Sequence, residues 1–241
     1  VHLAAPSHYL RDAAVATGIV PEARAHVLRN PYIPVEPAPV PAGDGTVRIA
    51  LIADSLTERR KGMPLAVESL NRLAARLPAE RPGRDVQVEV VGHADDALRA
   101  VFGRCALPHR LHGRITDHAR LVGVLGTADI VLSCSFEDNW PNILVETGAY
   151  GVVPVVGPGH GCAEYADTYG IGAVTGDYSA DAFAGAMLAV MDNLGGPEDR
   201  AAISARVRAD HTPEAIAARF TEIANAMGAR HPEAAGDPVP A

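Results

Sequence analysis

The sequence predicts an α/β fold, a doubly wound parallel sheet with helices on both faces. Short runs of branched apolar residues, of which Ile130-Val-Leu is the clearest, have the composition of strands that are buried on both faces. From residue 46 onward such runs alternate with amphipathic segments of helical length, an arrangement typical of parallel sheets with crossover helices. An apolar content of 48% in 241 residues is sufficient for a core of this size.

The predicted elements follow a regular order. A strand at 1–5, a helix at 7–17 capped by Ser7 and a strand at 25–28 come first, and the proline-rich residues 30–45 are predicted to be a linker. Further strands are predicted at 47–53, 86–91, 130–133 and 152–156, and helices at 63–77, 95–102, 117–125 and 142–150. Helical apolar spacing from residue 180 predicts closing helices, and the tail at 231–241 has a disordered composition.

Composition excludes several classes of function. A formal net charge of -8 repels a polyanion, so nucleic acid is not expected as a partner. The three cysteines lack C-x-x-C spacing, which argues against a disulfide framework and a zinc site and favours a reducing cytoplasm. No apolar run approaches the roughly 18 residues of a transmembrane helix, and the N-terminus lacks the pattern of a signal peptide.

The segment at 137–146 has the composition of a ligand site at the end of a strand. It follows the strand at 130–133, and Pro141 suits the first turn of a helix because its missing N–H costs nothing there. Asp138 or Asn139 is expected to cap that helix. The segment therefore predicts a helix start that faces the carboxyl edge of the sheet.

A nucleotide sugar would match the groups at this helix start. The unpaired amides near Asn142, Ile143 and Leu144 suit an anion such as phosphate. Glu146, on the first or second turn, can accept hydrogen bonds from two neighbouring hydroxyls of a ribose or hexose. By itself, however, an acidic residue in this position often does no more than complement the helix dipole.

Two other clusters can reach the same crevice. Arg60 and Lys61 lie between the first strand of the main sheet and its helix, where a guanidinium and an ammonium suit a diphosphate, although a solvated charge cluster is the alternative. The glycine-rich loop at 157–161, followed by Glu164, allows close approach of a ligand. A tight turn would also explain these glycines, and their spacing is too loose for a dinucleotide fingerprint.

The order of these elements resembles a known family. The matching stretches are RKG at 60–62, VVG at 90–92, LHG at 111–113, ADIVLSCSFEDNWPNILVETGAYGVVPVV at 128–156 and GCAEYAD at 161–167. Over residues 46–228 the chain looks like the C-terminal, nucleotide-sugar-binding domain of retaining GT-B glycosyltransferases, group 1 or family 4. The resemblance implies a Rossmann-like half of a GT-B fold at 46–230, with 1–29 as a remnant of an N-terminal acceptor domain that is largely absent.

In this family two acidic residues separated by seven others mark the donor site. That spacing joins Asp138 to Glu146, but Glu137 has the family residue type, so either Glu137 or Asp138 would contact the sugar. Glu146 would bind the ribose hydroxyls.

The resemblance assigns the remaining donor contacts. Asn142, Ile143 and nearby amides would hold the diphosphate or the base. Of the catalytic residues Arg60, Lys61 and Asp138, the two cations would neutralise the leaving diphosphate, and Asp138 or Glu137 would orient the sugar. Lys61 is the safer assignment of the two cations because the spacing ahead of RKG differs from the commoner form. The donor-binding set is completed by Asn139, Pro141, Gly161 and Glu164, the last without an assigned role.

The implied reaction is transfer of a sugar from a nucleoside diphosphate donor to a hydroxyl acceptor with retention, in polysaccharide or glycoconjugate biosynthesis. No metal and no cofactor besides the donor substrate are expected. Two alternatives stay open: a catalytically incomplete nucleotide-sugar-binding module, because the acceptor domain is largely missing, and a dinucleotide-dependent oxidoreductase that uses the glycines at 157–161. Peripheral membrane contact through the missing domain also stays open.

Overall fold

An N-terminal unit of two strands and one helix precedes the main sheet in the computed structural model, which describes residues 1–32 and 45–229. It consists of β1 (Leu3–Ala5), α1 (His8–Ala16) and β2 (Ala25–Val27), and the two strands pair in parallel. The predicted cap is confirmed, because the Ser7 hydroxyl accepts a hydrogen bond from the Leu10 amide at 3.1 Å. Most of the predicted linker and the whole predicted tail lie outside the described residues.

Parallel strands form the main sheet, and in chain order they are β3 (Val47–Ser55), β4 (Val86–His93), β5 (His109–Gly113), β6 (Ile130–Ser133), β7 (Val153–Val156) and β8 (Ala173–Val174). Their order across the six-stranded sheet is β5-β4-β3-β6-β7-β8. The chain therefore runs outward from β3 to β5, returns to the centre at β6 and continues outward on the other side. This is the predicted doubly wound topology.

Helices cover both faces of this sheet, and in chain order they are α2 (Met63–Glu80), α3 (Asp96–Phe102), α4 (His118–Thr127), α5 (Asn142–Gly148), α6 (His160–Tyr169), α7 (Ala180–Asp192), α8 (Pro197–His211) and α9 (Pro213–Ala229). Alternate residues of β3 enter two separate cores. Ile49 and Leu51 pack with α2 and α7, whereas Ala50 packs with α4, α5 and α8. Burying each such Ile or Leu contributes about 1.5–3 kcal/mol. None of the helices within the described ranges combines the length and the apolarity that a bilayer span requires.

The sequence prediction missed β5, β8 and α6. β5 is an edge strand with the mostly polar sequence His-Arg-Leu-His-Gly, which lacks the apolar run of a buried strand, and β8 has only two residues. The start of α6 was hidden by Gly159 and Gly161, since glycine weakens a helical pattern. Gly161 and Glu164, predicted to lie in a loop, therefore lie on a helix.

Candidate functional site

A cavity of about 440 Å³ opens at the carboxyl ends of the central strands. β3 and β6 are neighbours there, and the chain leaves them toward opposite sides of the sheet, which creates a crevice at the switch point. The volume is within the range of small-molecule sites. The cavity brings together most of the predicted site residues, namely Arg60, Lys61, Asp138, Pro141, Asn142, Ile143 and Glu146.

The basic side of the cavity is the turn after β3. Arg59–Lys61 form one turn of 3-10 helix. The Lys61 ammonium lies 3.0 Å from a carboxylate oxygen of Asp138, and the Arg60 guanidinium lies 3.6 Å from the same oxygen. Arg60 also pairs with Glu58 at 2.7 Å. Because the side chain of Lys61 is 18% exposed and that of Arg60 is 45% exposed, Lys61 is the more enclosed cation.

Lys61 is also the one lysine in the sequence, and the other permanently charged basic side chains are all arginines. A compact ammonium with three rotatable donors fits an enclosed position beside a carboxylate, whereas a planar guanidinium needs more room. The sequence alone establishes this count. It means that amine-directed reagents can report on this single side chain.

Asp138, and not Glu137, presents its carboxylate to the cavity. The Asp138 side chain is 14% exposed and is bound by Lys61. Glu137 is exposed, and its carbonyl oxygen accepts hydrogen bonds from the Ser135 hydroxyl at 3.2 Å and from Arg60 at 3.4 Å. The residue with the family spacing to Glu146 is therefore the one that lines the cavity.

No side chain caps the start of α5. Pro141 occupies the N-cap position, so the predicted capping by Asp138 or Asn139 is wrong. Asp138 is held by Lys61 instead, and Asn139 is exposed and lies outside the lining.

The first turn of α5 leaves two backbone donors for a ligand. The Leu144 amide donates to the Pro141 carbonyl at 3.0 Å. The amides of Asn142 and Ile143 have no acceptor within the described part of the chain. Both residues line the cavity, as the prediction requires of groups that contact a donor.

Glu146 lies on the second turn of α5 and lines both this cavity and a neighbouring one of about 220 Å³. Burial raises the pKa of its carboxyl group, and the nearby His118 partly opposes that shift. Its two oxygens make no hydrogen bond to the described residues. They are thus available to neighbouring hydroxyls.

Gly161 and Glu164 contact different parts of the molecule. The Gly161 amide donates to the Asp138 carbonyl at 2.8 Å, and a Cβ on Gly161 would lie 1.9 Å from the Asn139 carbonyl oxygen. Glu164 instead accepts hydrogen bonds from the amides of His8 and Tyr9 at 2.8 and 2.7 Å. Gly161 therefore supports the loop that carries Asp138, and Glu164 binds the first turn of α1.

The cavity lining also contains residues that the prediction did not name, among them Asn30, Val91, Gly92, Arg114, Ile115, Leu121 and Trp140. A signal existed for those at or just after the carboxyl ends of β4 and β5, because the carboxyl ends of parallel strands share one edge of the sheet. The VVG and LHG stretches end at these positions. Asn30 carried no such signal, since it is the first residue of the predicted linker.

A family model described as "Glycosyl transferases group 1" matches residues 47–193. This stretch is more than half of the chain and contains both Lys61 and Glu146. The chain belongs to the glycosyl transferases of group 1. A search of curated proteins finds no match.

Solved structures share the fold of this group 1 chain. A glycosyltransferase from Rickettsia africae ESF-5 is 16% identical with a TM-score of 0.76, covering 94% of this chain and 63% of its own. The lipopolysaccharide outer core galactosyltransferase WaaB is 16% identical with a TM-score of 0.73, and the match covers 95% of this chain and 62% of that of WaaB. Anabaena HepE, solved with UDP, is 15% identical with a TM-score of 0.67, and the match covers 95% of this chain and 64% of that of HepE. The chain thus spans about three-fifths of these structures and forms the Rossmann-like half of a GT-B fold.

Proposed function

We propose that this chain is the donor-binding half of a retaining glycosyltransferase, which transfers a sugar from a nucleoside diphosphate to a hydroxyl acceptor. The observation that carries the proposal is the enclosed pair of Lys61 and Asp138 in the same cavity as Glu146. An ammonium group suits a diphosphate, and a carboxylate that has no hydrogen-bond partner among the described residues suits the hydroxyls of a ribose. Membership of group 1 and the UDP bound by Anabaena HepE support this class of donor.

In the proposed reaction, negative charge develops on the diphosphate as its bond to the anomeric carbon breaks. Lys61 and Arg60 stabilise that charge, because cations already in place need no reorganisation at the moment of reaction. Asp138 accepts hydrogen bonds from the sugar and orients its ring. The acceptor oxygen bonds to the anomeric carbon on the face that the diphosphate leaves, and its proton passes to a phosphate oxygen, which gives retention.

The glycines at 157–161 do not favour the oxidoreductase alternative. A Cβ on Gly157 would lie 2.4 Å from the ring of Tyr178, and one on Gly161 would lie 1.9 Å from Asn139. These glycines allow the protein to approach itself closely. Gly157 and Gly161 therefore leave little room for a pyrophosphate, so a dinucleotide is not proposed.

A nucleotide-sugar-binding module without transfer activity is the second candidate. The observation that favours it is that the residues lining the cavity account for donor binding alone. The cysteines Cys105, Cys134 and Cys162 are unpaired, which supports a reducing compartment such as the cytoplasm for either candidate.

Replacing Lys61 or Glu146 tests the proposed function. Lys61→Ala and Glu146→Ala are each expected to weaken nucleotide-sugar binding about tenfold or more, because each removes a charge-assisted hydrogen bond to the donor. Calorimetry with a panel of nucleoside diphosphate sugars measures the affinity, and circular dichroism checks that the fold is retained. Unchanged affinity in both variants would contradict the site assignment.

Arg59→Ala is the matched control, since Arg59 is on the same turn as Lys61 but does not line the cavity. Its affinity for the donor should equal that of the unaltered chain. The single lysine adds a second readout: a bound nucleoside diphosphate should slow acylation of Lys61 by an amine-directed reagent. Transfer of sugar from the bound donor, assayed with a library of hydroxyl acceptors, separates the transferase from the binding module.

A further inference from the structure

Residues 29–32, here called the strap, form part of the wall of the candidate donor site. Asn30 lines the larger cavity, and Pro31 and Tyr32 line the neighbouring one. The two cavities share Asn142 and Glu146. A segment from upstream of the main domain therefore borders the residues proposed to hold the diphosphate and the ribose.

His211, at the end of α8, fixes the backbone of the strap. Its ring Nδ1 donates to the Asn30 carbonyl at 2.6 Å, and its own carbonyl accepts from the Tyr32 amide at 2.7 Å. His211 is fully buried, and burial lowers its pKa. In the neutral ring, the Nδ1 proton points to the Asn30 carbonyl oxygen, and Nε2 lies 3.0 Å from the Tyr169 hydroxyl.

Arg29 fixes the strap to the loop after β6. Its guanidinium lies 4.8 Å from the centre of the Trp140 ring, and it pairs with Asp210 at 2.7 Å. Trp140 is 3% exposed and lines the cavity. The position of Asn30 is thus set by contacts on both sides that do not involve its own side chain.

The side chain of Asn30 reaches one group in the cavity. Its Nδ2 donates to Oδ1 of Asn142 at 2.8 Å. A carboxamide has an acceptor end and a donor end, so a bond at Oδ1 fixes which way Asn142 points and leaves its NH₂ group for a ligand. Asn142 also carries one of the unpaired amides of α5 and shares the cavity with Lys61.

We propose that Asn30 is a positioning residue of the donor site, which holds the Asn142 carboxamide so that its NH₂ group donates to the diphosphate. The inference rests on the proposed function. It assigns part of the donor site to a residue outside the stretch at 47–193 that matches the family.

A double-mutant cycle tests the inference. The probes are UDP, GDP, ADP and dTDP, each paired with its parent nucleoside, and calorimetry follows the diphosphate that binds most tightly. Asn30→Ala should weaken binding of the diphosphate about tenfold and leave the nucleoside affinity nearly unchanged. In an Asn142→Ala background the same substitution should have no further effect, because Asn30 acts through Asn142.

Asn30→Asp is a second variant of the same shape that keeps the backbone contacts to His211. Its carboxylate can only accept, so it should turn the NH₂ group of Asn142 away from the donor and weaken diphosphate binding more than Asn30→Ala does. Asn193→Ala, which removes an exposed carboxamide that donates to Ala189 on α7, is the control and should bind normally.

The outcomes separate this inference from the proposed function. If the unaltered chain binds no nucleoside diphosphate, both are overturned. If it binds one, and Asn30→Ala and Asn30→Asp bind it equally well, only the inference is overturned. The inference alone is also overturned if Asn30→Ala weakens diphosphate binding to the same extent when Asn142 is already alanine.

Discussion

At the residue scale, the partly buried carboxylate of Glu146 lowers the stability of the folded chain. Its carboxylate lacks a described hydrogen-bond partner, and burial raises its pKa. A charged group that loses water without gaining a partner destabilises the folded state. The hydroxyls of a bound ribose would offset that cost, which is the behaviour expected of a side chain that serves a ligand.

Glu146→Gln should therefore stabilise the free protein and weaken donor binding. Since the pKa of Glu146 is higher in the folded than in the unfolded chain, its destabilising effect appears as the pH rises through the folded pKa. The thermal midpoint of the variant should exceed that of the unaltered chain at about pH 8, and the two should converge near about pH 4. Its nucleoside affinity should fall about tenfold.

Thermal unfolding between those pH values and calorimetry at the higher pH provide the two measurements. A variant that is less stable than the unaltered chain at the higher pH would show that the carboxylate has a stabilising partner. Asp167→Asn, at an exposed position on α6, gives the effect of removing a solvated carboxylate for comparison.

At the element scale, the turn after β3 can meet the end of β6 only because it ends in glycine. Gly62 has a φ of 64°, a left-handed conformation that other residues rarely adopt. A Cβ there would lie 2.2 Å from the Cys134 carbonyl oxygen. The neighbouring Phe136 amide donates to the Arg60 carbonyl at 2.7 Å. This close approach brings Lys61 to Asp138.

Two glycine substitutions should have opposite effects on stability. Gly62→Ala should lower the free energy of unfolding by about 1–3 kcal/mol and weaken donor binding, because it strains the backbone and separates the two loops. Gly123→Ala, within α4 and with no atom within 4 Å of its Cβ, should raise the free energy of unfolding by about 0.5–1 kcal/mol. Urea denaturation measures both, and equal effects would contradict this account of the turn.

At the scale of the whole molecule, Glu164 joins the N-terminal unit to the main sheet. The carboxylate on α6 accepts from two amides in the first turn of α1, where unpaired donors and the helix dipole favour an anion. Arg219 on α9 adds a hydrogen bond to the Val27 carbonyl at 3.3 Å. Contacts of this kind fix the position of the N-terminal unit against the main sheet.

Glu164→Ala should loosen α1 without weakening the binding of a nucleoside diphosphate. Loss of a capping interaction of this type costs about 1 kcal/mol, and hydrogen exchange of the α1 amides should become faster. Glu164→Gln, which keeps one acceptor oxygen, should show a smaller change. A fall in donor affinity with α1 exchange unchanged would instead return Glu164 to the donor site that the sequence predicted.

The elements that the sequence predicted are those whose signal is local. β3, β4, β6 and β7 contain apolar runs that are buried on both faces, and Ser7 caps its own helix. β5 and α6 were missed because their pairing and packing, and not their composition, make them regular. The same limit applies to the wrong assignment of the α5 cap, since Asp138 is held from another loop.

By itself, the sequence determined the doubly wound class, which follows from its periodicity, and placed a basic cluster at Lys61 after the first strand of the main sheet. The acid pair that includes Glu146 followed from the spacing that the family resemblance implies. The tertiary structure decided that Asp138 and not Glu137 lines the cavity, that Glu164 binds α1 and that Asn30 meets Asn142 from 112 positions away. Such contacts depend on how separate elements pack, and no local pattern encodes that packing.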